Sequence, residues 1–458
     1  MNKSQLNCNW TRTNFQAKEY QTEIFMGFNI NELSYMTIMI NSLIENLDLS
    51  LFDQYYKSNN VIGGRPNVDY KIMLKIYLYA LYNSISVRKL NEYNALGSNL
   101  HYLMHGTNKL PGNSTFSDFL KVLDNHIDEI FNMTIEYTKT LLTLDTKNLY
   151  CDGTIFEAHN NRHKIITDNN LKRSNKKWSK ILEDVASSEE ERKLAVKKLD
   201  LNKERENKLK FLGRQSYGRT DEDSVILMDK NKSFIAGFNV QLVEEAKYGL
   251  IVFTHTSNKN PDSEVFKEML PLLTDCYDDI ETITFDSGYG TAEILELLNS
   301  ENIKAIVTAR KGKNSNTKIN NYHFKVSEDN KYLTCPNERK LTLKSTNDKG
   351  NSIFKNDDCT DCVHKKECCP KQDFKTVRIN ADELRLINKA DEIINSEDGK
   401  ERFSKRGNLC ESPNGFIIYN LKGKKLRMKG LVRNNTVIKL YAILYNLSRL
   451  NSIMSNSE

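Results

Sequence analysis

The chain has 458 residues, 39% hydrophobic and 28% charged, enough for two or three domains with a sizeable core and a large polar surface. Lys and Arg outnumber Asp and Glu by 66 to 60, and a net charge of +6 does not by itself identify a nucleic-acid partner. There is neither a secretory signal nor an apolar run long enough to span a bilayer, and the nine cysteines favour reduced thiols or metal ligands, so the sequence predicts a cytoplasmic protein.

Helical periodicity dominates residues 31–142, after an N-terminal segment of residues 1–30. The stretches GGRPN (63–67) and KLPGNST (109–115) interrupt the pattern, and Asn113 or Ser114 is placed to cap the helix that follows. Apolar residues recur with a period near 3.6 at Ile72, Leu74, Leu78, Leu81 and Ile85. We therefore predict an all-helical N-terminal domain.

From residue 148 strands and helices alternate. The Lys- and Glu-rich stretch from Arg173 to about Leu212 has the charge pattern of a solvated helix or helical pair. A polar, cysteine-bearing segment occupies residues 311–380. The other predicted elements are strands at 148–158, 238–246, 249–258, 283–286 and 304–310, with helices at 263–277, 291–302 and 429–450. This order indicates a mixed α/β sheet with helices on its faces.

Two aspartates follow buried-strand patterns. Asp152 lies within or at the end of the first strand, and Asp286 ends the strand that precedes Gly288. Ligands are usually held at the carboxyl ends of strands in open α/β sheets, so this pair suits a divalent cation with oxygen ligands. The alternative is that each is an ordinary turn or cap residue.

Several ordered motifs resemble the DDE transposases of bacterial insertion sequences. YCDGTIFEAHNNRHK, FNVQ with NKNPDSEVF, and TFDSGYG are similar to successive catalytic blocks, and CESPNGFIIYNLKGKKLRMKGL is similar to the final block of one large group. GGRPNVDYKIMLKIYLYALYNSISVRKLNEY and LPGNSTFSDF resemble that group's helical N-terminal domain. The resemblance runs from about residue 60 to 450.

The resemblance implies a fold and a chemistry. Residues 31–142 would be the helical DNA-binding domain, and residues 148–450 a ribonuclease H-like catalytic domain with a helical insert at about 165–220 and a cysteine-rich insert at 311–380. Asp152, Asp286 and Glu411 would hold two Mg²⁺ or Mn²⁺ ions for phosphoryl transfer to and from double-stranded DNA. The DNA would be the element's terminal repeats and the target, and the active complex would be a homodimer.

The chain departs from the family pattern after Glu411. The family places a lysine seven positions later, where this chain has Ile418. Either Lys422 or Lys424 takes its place, or this is a decayed copy whose Glu411 is a surface residue before a turn.

Two further groups of residues suggest binding sites. Cys359 and Cys362 have the Cys-x₂-Cys spacing that is typical of zinc ligands. The alternative to a zinc site is that this segment is a reduced polar insert without metal. The possible zinc ligands are Cys335, Cys359, Cys362 and Cys368, with Cys369 as an alternative to the last. A stretch without acidic residues offers phosphate contacts through Lys422, Lys424, Lys425, Arg427 and Lys429.

The sequence thus favours a DNA transposase that cleaves and joins insertion-sequence ends. The alternatives are a catalytically impaired remnant that still binds DNA, a nuclease of the same fold that cleaves without joining, and a structural zinc protein. The last would leave the acidic residues unexplained.

Overall fold

The computed structural model describes residues 33–55, 68–90, 92, 98–105, 110–228, 232–310, 318–348 and 350–455. The segment 1–30 and the predicted chain break at 63–67 lie outside these residues. The N-terminal region is helical, as predicted, and its helices are α1 (Tyr35–Asn46), α2 (Tyr70–Tyr82), α3 (Ser98–Leu103) and α4 (Asn113–Leu141). Asn113 is the first residue of α4 and Gly112 takes the cap position, so neither predicted capping residue caps this helix.

A mixed sheet begins at residue 148. The strands of the first half of this region are β1 (Asn148–Glu157), β2 (Ile165–Thr167), β3 (Ser216–Gly218), β4 (Val225–Met228), β5 (Phe234–Glu245), β6 (Ile251–Ser257), β7 (Thr282–Thr284) and β8 (Lys304–Ile306). Six of them form one sheet in the order β4-β5-β1-β7-β8, with β6 also paired to β5. Strand β1 is antiparallel to β5 and parallel to β7. The prediction of a mixed α/β architecture behind a helical N-terminal region is confirmed.

Helices connect and cover these strands. The Lys- and Glu-rich stretch forms a helical pair, α5 (Asp168–Glu183) and α6 (Glu189–Leu212), followed by α7 (Asp262–Cys276) and α8 (Ala292–Ser300). A capping box starts α6, because the Ser188 side chain accepts from the Glu191 N–H and the Glu191 carboxylate accepts from the Ser188 N–H. Strands β2 and β3 pair with each other at the base of this helical pair.

The cysteine-bearing segment contains a second sheet that the sequence reading did not predict. Its five strands are antiparallel, with a short helix α9 (Lys365–Cys368) between the last two. They are β9 (Lys325–Val326), β10 (Tyr332–Thr334), β11 (Lys340–Thr346), β12 (Asn351–Asn356) and β13 (Lys375–Asn380). A small separate core around Phe324, Leu333 and Phe354 holds it.

Three helices close the chain. They are α10 (Ala381–Asn395), α11 (Glu397–Gly415), which continues as a π-helical turn over Phe416–Asn420, and α12 (Leu431–Ser455). The predicted apolar positions of α12 are all buried, namely Val437, Leu440, Tyr441, Leu444, Leu447 and Leu450. One hydrophobic core runs from α1 through the mixed sheet to α12, so the N-terminal helices and the sheet share their packing. Of the helices described, none combines the length and apolar character needed to cross a bilayer.

Candidate active site

Asp152 and Asp286 occupy matching positions on adjacent strands. Strands β1 and β7 pair in parallel, with Tyr150 opposite Thr284. The offset of 134 residues between these two is the same as that between Asp152 and Asp286, which follow them by two positions each. Asp152 lies in the middle of β1 and Asp286 two residues beyond the end of β7. Continuing the register past Tyr150 and Thr284 brings the two aspartates close together where β7 ends, because neighbouring strands lie about 4.8 Å apart.

Asp152 is held by one face of α11. Its side chain is nearly buried; Oδ1 accepts a hydrogen bond from Arg406 Nη2 at 2.9 Å, and Oδ2 accepts one from Asn414 Nδ2 at 3.3 Å. Arg406, Cys410 and Asn414 are spaced four residues apart, so all three lie on the helix face that packs against β1. The sequence reading missed Arg406 and Asn414.

The positive charge of Arg406 interacts electrostatically with both aspartates. Burial acts against its charged form, yet the carboxylates of Asp152 and Asp286 raise the pKa of Arg406 above its ordinary value. Two neighbouring carboxylates repel each other unless a cation lies between them. The guanidinium therefore lies where two carboxylates stabilise a positive charge. Carboxylate oxygens are hard donors, and such donors suit Mg²⁺ or Mn²⁺.

Asp286 lies in a tight turn that is open to solvent. Its Oδ1 accepts from the Gly288 N–H at 2.6 Å, and a Cβ on Gly288 would lie 2.6 Å from that same oxygen, so the turn requires glycine. The interpretation of Asp286 as the cap of the next helix is wrong, because Thr291 caps α8 by accepting from the Ile294 N–H. Asp286 remains half-buried, and its carboxylate is reachable from outside.

The structure does not bring Glu411 into the same cluster. Glu411 lies on α11 directly after Cys410, and its side chain is exposed. Across the described ranges, no group of three or more His, Cys, Asp or Glu side chains is arranged to hold a metal ion. The two aspartates are thus adjacent, with the glutamate on a neighbouring helix face.

A buried acid lies on the α11 side of the sheet beneath this site. Glu244 on β5 is opposite Tyr150 in the β1–β5 register and is fully buried. Burial, and after it the charge of Asp152, raise the pKa of Glu244 well above its ordinary value, which favours the neutral form of this side chain. The sequence reading assigned it no role, since its strand reads simply as a core strand.

A polar network supports the opposite face of β1. Asn239 Nδ2 donates to Asp262 Oδ1 at 2.6 Å, Gln241 Nε2 donates to Asn239 Oδ1 at 2.9 Å, and the Tyr289 hydroxyl donates to Gln241 Oε1. A Cβ on Gly153 would lie 2.6 Å from Gln241 Nε2, so a larger residue next to Asp152 would displace the side chains of this network. The network thereby ties β5, α7 and the turn after Asp286 to the same edge of the sheet.

The predicted phosphate-binding cations are all exposed on one short segment. Lys422, Lys424, Lys425, Arg427 and Lys429 project from it, while Leu421 and Leu426 anchor it in the core. The Glu157 N–H donates to the Lys424 carbonyl at 2.8 Å, and the Leu426 N–H donates to the Glu157 carbonyl at 2.8 Å. These bonds fix the basic segment to the end of β1, five residues beyond Asp152.

The four predicted zinc ligands lie around one small cavity. Cys335, Cys359, Cys362 and Cys368 line it together with Cys369 and His364. Burial, and then the neighbouring thiols of Cys369 and Cys362, raise the pKa of Cys359 to about 11. The side chains converge in this part of the fold without the arrangement of a metal site.

Fold and site together define a mixed α/β protein with two in-register aspartates at one sheet edge and a helical N-terminal region. A family model described as a transposase DDE domain matches residues 334–451, and one described as a transposase domain (DUF772) matches residues 33–122. Both matches confirm the predicted resemblance to the DDE transposases of insertion sequences. The first covers Glu411 and the basic segment, but Asp152 and Asp286 lie outside both.

A solved transposase structure is only weakly similar to this chain. The cryo-EM structure of a piggyBac transposase synaptic complex with hairpin DNA is similar, with a TM-score of 0.36 and 10% identity over 92% of this chain and 76% of that chain. A TM-score this low does not establish a common fold. No curated protein matches this chain.

Proposed function

We propose that this protein is a DNA transposase that cleaves and joins the ends of an insertion sequence by metal-dependent phosphoryl transfer. The observation that carries the proposal is the parallel register of β1 and β7, in which Tyr150 is opposite Thr284, two residues before Asp152 and Asp286 respectively. Residues 148–450 would form the ribonuclease H-like catalytic domain, and residues 31–142 the helical DNA-binding domain.

Each residue of the site has a distinct part in this chemistry. Asp152 and Asp286, joined by Glu411 from α11, would hold the divalent cations. Bound there, Mg²⁺ or Mn²⁺ stabilises charge on the phosphodiester and activates the attacking water or 3′-hydroxyl. Arg406 and Asn414 orient the Asp152 carboxylate, and the network through Gln241 and Asp262 keeps the strands of this edge in place.

The basic segment would bind the DNA backbone. Its five exposed cations begin where β1 ends, about 17 Å along the strand from Asp152 at a rise near 3.3 Å per residue. Lys422 and Lys424 are both exposed there, and either would supply the phosphate contact that Ile418 lacks. The partners in this proposal are terminal-repeat and target DNA, with a homodimer bringing two ends together in the cytoplasm.

One observation favours a second candidate, a catalytically impaired DNA-binding protein. Glu411 is exposed and apart from the two aspartates, and Ile418 replaces the family's lysine. Such a protein would bind the element's ends without cleaving them.

The test is a reaction of the full chain with Mg²⁺ and DNA that carries the sequences flanking the gene. Cleaved ends joined to a second duplex, absent with Asp152→Asn, would support a transposase. Cleavage without joining would indicate a nuclease instead, and binding without cleavage the impaired protein. Asp145→Asn, a change in the loop before β1, is the matched control and should react as the wild type does.

The possible zinc site is part of the proposal. It is supported by the convergence of five cysteines on one cavity, where a bound cation would favour thiolates whose pKa is now raised. Metal analysis of the purified full chain should find zinc, lost with Cys362→Ser and kept with Cys276→Ser, an exposed cysteine elsewhere. A zinc-free wild type would leave this segment a reduced polar insert.

A further inference from the structure

Two large apolar side chains lie exposed next to each other at the edge of the mixed sheet. Met228 on β4 is directly opposite Phe234 on β5, and they are 54% and 61% exposed. Residues opposite each other in an antiparallel pair share a face of the sheet about 5 Å apart. A single exposed apolar residue is common on protein surfaces. Any function of this pair must therefore be argued from the residues around it.

Phe234 lines two cavities. The first has a volume of about 640 Å³ and is lined by the end of β1, by His159, Asn160 and Asn161, and by Lys425 of the basic segment. Its size suits one nucleotide, since small-molecule sites span roughly 300–1,000 Å³.

The second cavity has a volume of about 1240 Å³ and is also lined by Phe234. Its charged lining is predominantly basic, with Lys172, Arg173, Lys210 and Arg214 against Asp168 and Glu206. Phe234 thus lines one cavity that contains Lys425 and a second in which cations outnumber acids.

This surface is continuous with the candidate active site. Glu157 lines the first cavity and is the last residue of the strand that carries Asp152. Asp152 is opposite Leu242 in the β1–β5 register, and Phe234 lies eight residues further along β5, about 26 Å away at a rise near 3.3 Å per residue. A single DNA strand whose phosphate lies at the aspartates would therefore reach Phe234 within a few nucleotides.

We propose that Phe234, flanked by Met228, is a stacking platform for an unpaired base of the DNA strand that runs from the active site between the two cavities. This inference rests on the proposed function and names a contact that selects single-stranded DNA. Aromatic rings stack on the faces of bases, which in a duplex are covered by neighbouring base pairs. Lys425 in one cavity and Lys172, Arg173, Lys210 and Arg214 in the other would hold the adjacent phosphates.

The test is a binding titration of the full chain with fluorescein-labelled oligo(dT) of about 20 nucleotides, and with a duplex of the same length. Phe234→Ala should weaken oligo(dT) binding about tenfold, as expected when one stacked base is lost, and should leave duplex binding within twofold. Phe234→Trp should bind oligo(dT) about as tightly as the wild type, and its indole fluorescence should fall as oligo(dT) is added. Thermal unfolding of each variant should match the wild type, because the ring is largely exposed.

The matched control is Phe211→Ala. Phe211 is 90% exposed near the end of α6 and lines neither cavity, so its loss should leave both titrations unchanged. Equal binding of oligo(dT) by wild type and Phe234→Ala would overturn the stacking platform, as would equal losses with Phe211→Ala. If the wild type cleaves element ends while Phe234→Ala binds normally, the transposase proposal stands and this inference fails. If the wild type binds neither DNA, both fail.

Discussion

An ion pair with Arg406 orders the Asp152 carboxylate. The Asp152 side chain is only 10% exposed, and its hydrogen bond from Asn414 is longer than the one from Arg406. Removing one partner of a buried pair is costly because the remaining charge keeps its desolvation penalty without compensation.

Arg406→Met should therefore lower the free energy of unfolding by about 3 kcal/mol, measured by urea titration without divalent ions. Added Mg²⁺ should recover part of this loss, and should stabilise the variant more than the wild type. Arg402→Met is the control, since Arg402 pairs with an exposed carboxylate, Asp398, one turn earlier; that change should cost less than about 1 kcal/mol. Equal losses from both variants would contradict the account of Arg406.

Glu244 makes stability depend on pH in a predictable direction. Its folded-state pKa is raised well above 4.5, so above that pH the unfolded chain releases a proton that the folded chain keeps. The contribution of Glu244 to the free energy of unfolding is full below pH 4.5 and is lost as the pH rises towards the folded-state pKa. Glutamine has nearly the same shape and does not titrate.

Glu244→Gln should accordingly match the wild type in unfolding free energy at pH 4 and exceed it increasingly between pH 5 and 8. Urea unfolding at a series of pH values measures this difference. Parallel pH profiles for the two proteins would show that Glu244 is not a buried, protonated acid.

At the scale of elements, α12 fastens the N-terminal helices to the mixed sheet. Asp124 on α4 accepts two hydrogen bonds from Arg433 Nε and one from Thr436 Oγ1, at 2.7–2.8 Å. Lys439, nearly buried on the same helix, donates to the Thr254 carbonyl of β6 at 3.1 Å and pairs with Asp128 of α4 at 3.0 Å. These contacts link α4, α12 and the sheet in one unit.

Asp124→Ala should destabilise the chain by about 3 kcal/mol, because it leaves the guanidinium of Arg433 without its partner. Thermal unfolding measures the loss. Glu136→Ala on the same helix removes an exposed pair with Lys139 and should change stability by no more than about 0.5 kcal/mol. A small effect of Asp124→Ala would mean that apolar packing alone joins α4 to α12.

The sequence predicted the long, periodic elements and missed the short or exposed ones. Strands β1 and β5 and helix α12 have buried apolar patterns that are visible without a structure. In contrast, β11 is exposed at nearly every position, and its pairing depends on backbone hydrogen bonds that leave no apolar pattern. Strands β2 and β3 have three residues each and were missed, whereas β7 and β8 are equally short but were predicted because they lie in longer apolar stretches of the sequence.

The candidate site was predictable in part for the same reason. Asp152 lies within a buried strand and Asp286 follows one, so adjacency of those strands was enough to bring them together. The partners Arg406 and Asn414 are polar residues of a helix whose apolar content is low, and only the three-dimensional packing identifies the face that meets β1. The position of Glu411 relative to the aspartates was likewise not set by its spacing in the chain.

At the scale of the whole molecule, DNA binding should depend on the basic segment at the sheet edge. Each phosphate contact that a lysine makes contributes about 0.9 to the slope of log affinity against log salt concentration. Lys422→Ala with Lys424→Ala should reduce this slope by about 2, measured by anisotropy at a series of salt concentrations. The double change Lys193→Ala with Lys197→Ala on α6 is the control and should leave the slope intact.

In the proposed function, one metal site joins two residues 134 positions apart, Asp152 and Asp286. Loading the full chain with Fe²⁺ in place of Mg²⁺, then adding ascorbate and peroxide, cleaves the backbone near the bound ion, and mass spectrometry locates the cuts. We predict cuts close to both aspartates in the wild type, and the loss of both sets in Asp152→Asn as well as in Asp286→Asn. Cuts near one aspartate only, or cuts that persist in either variant, would contradict a shared metal site.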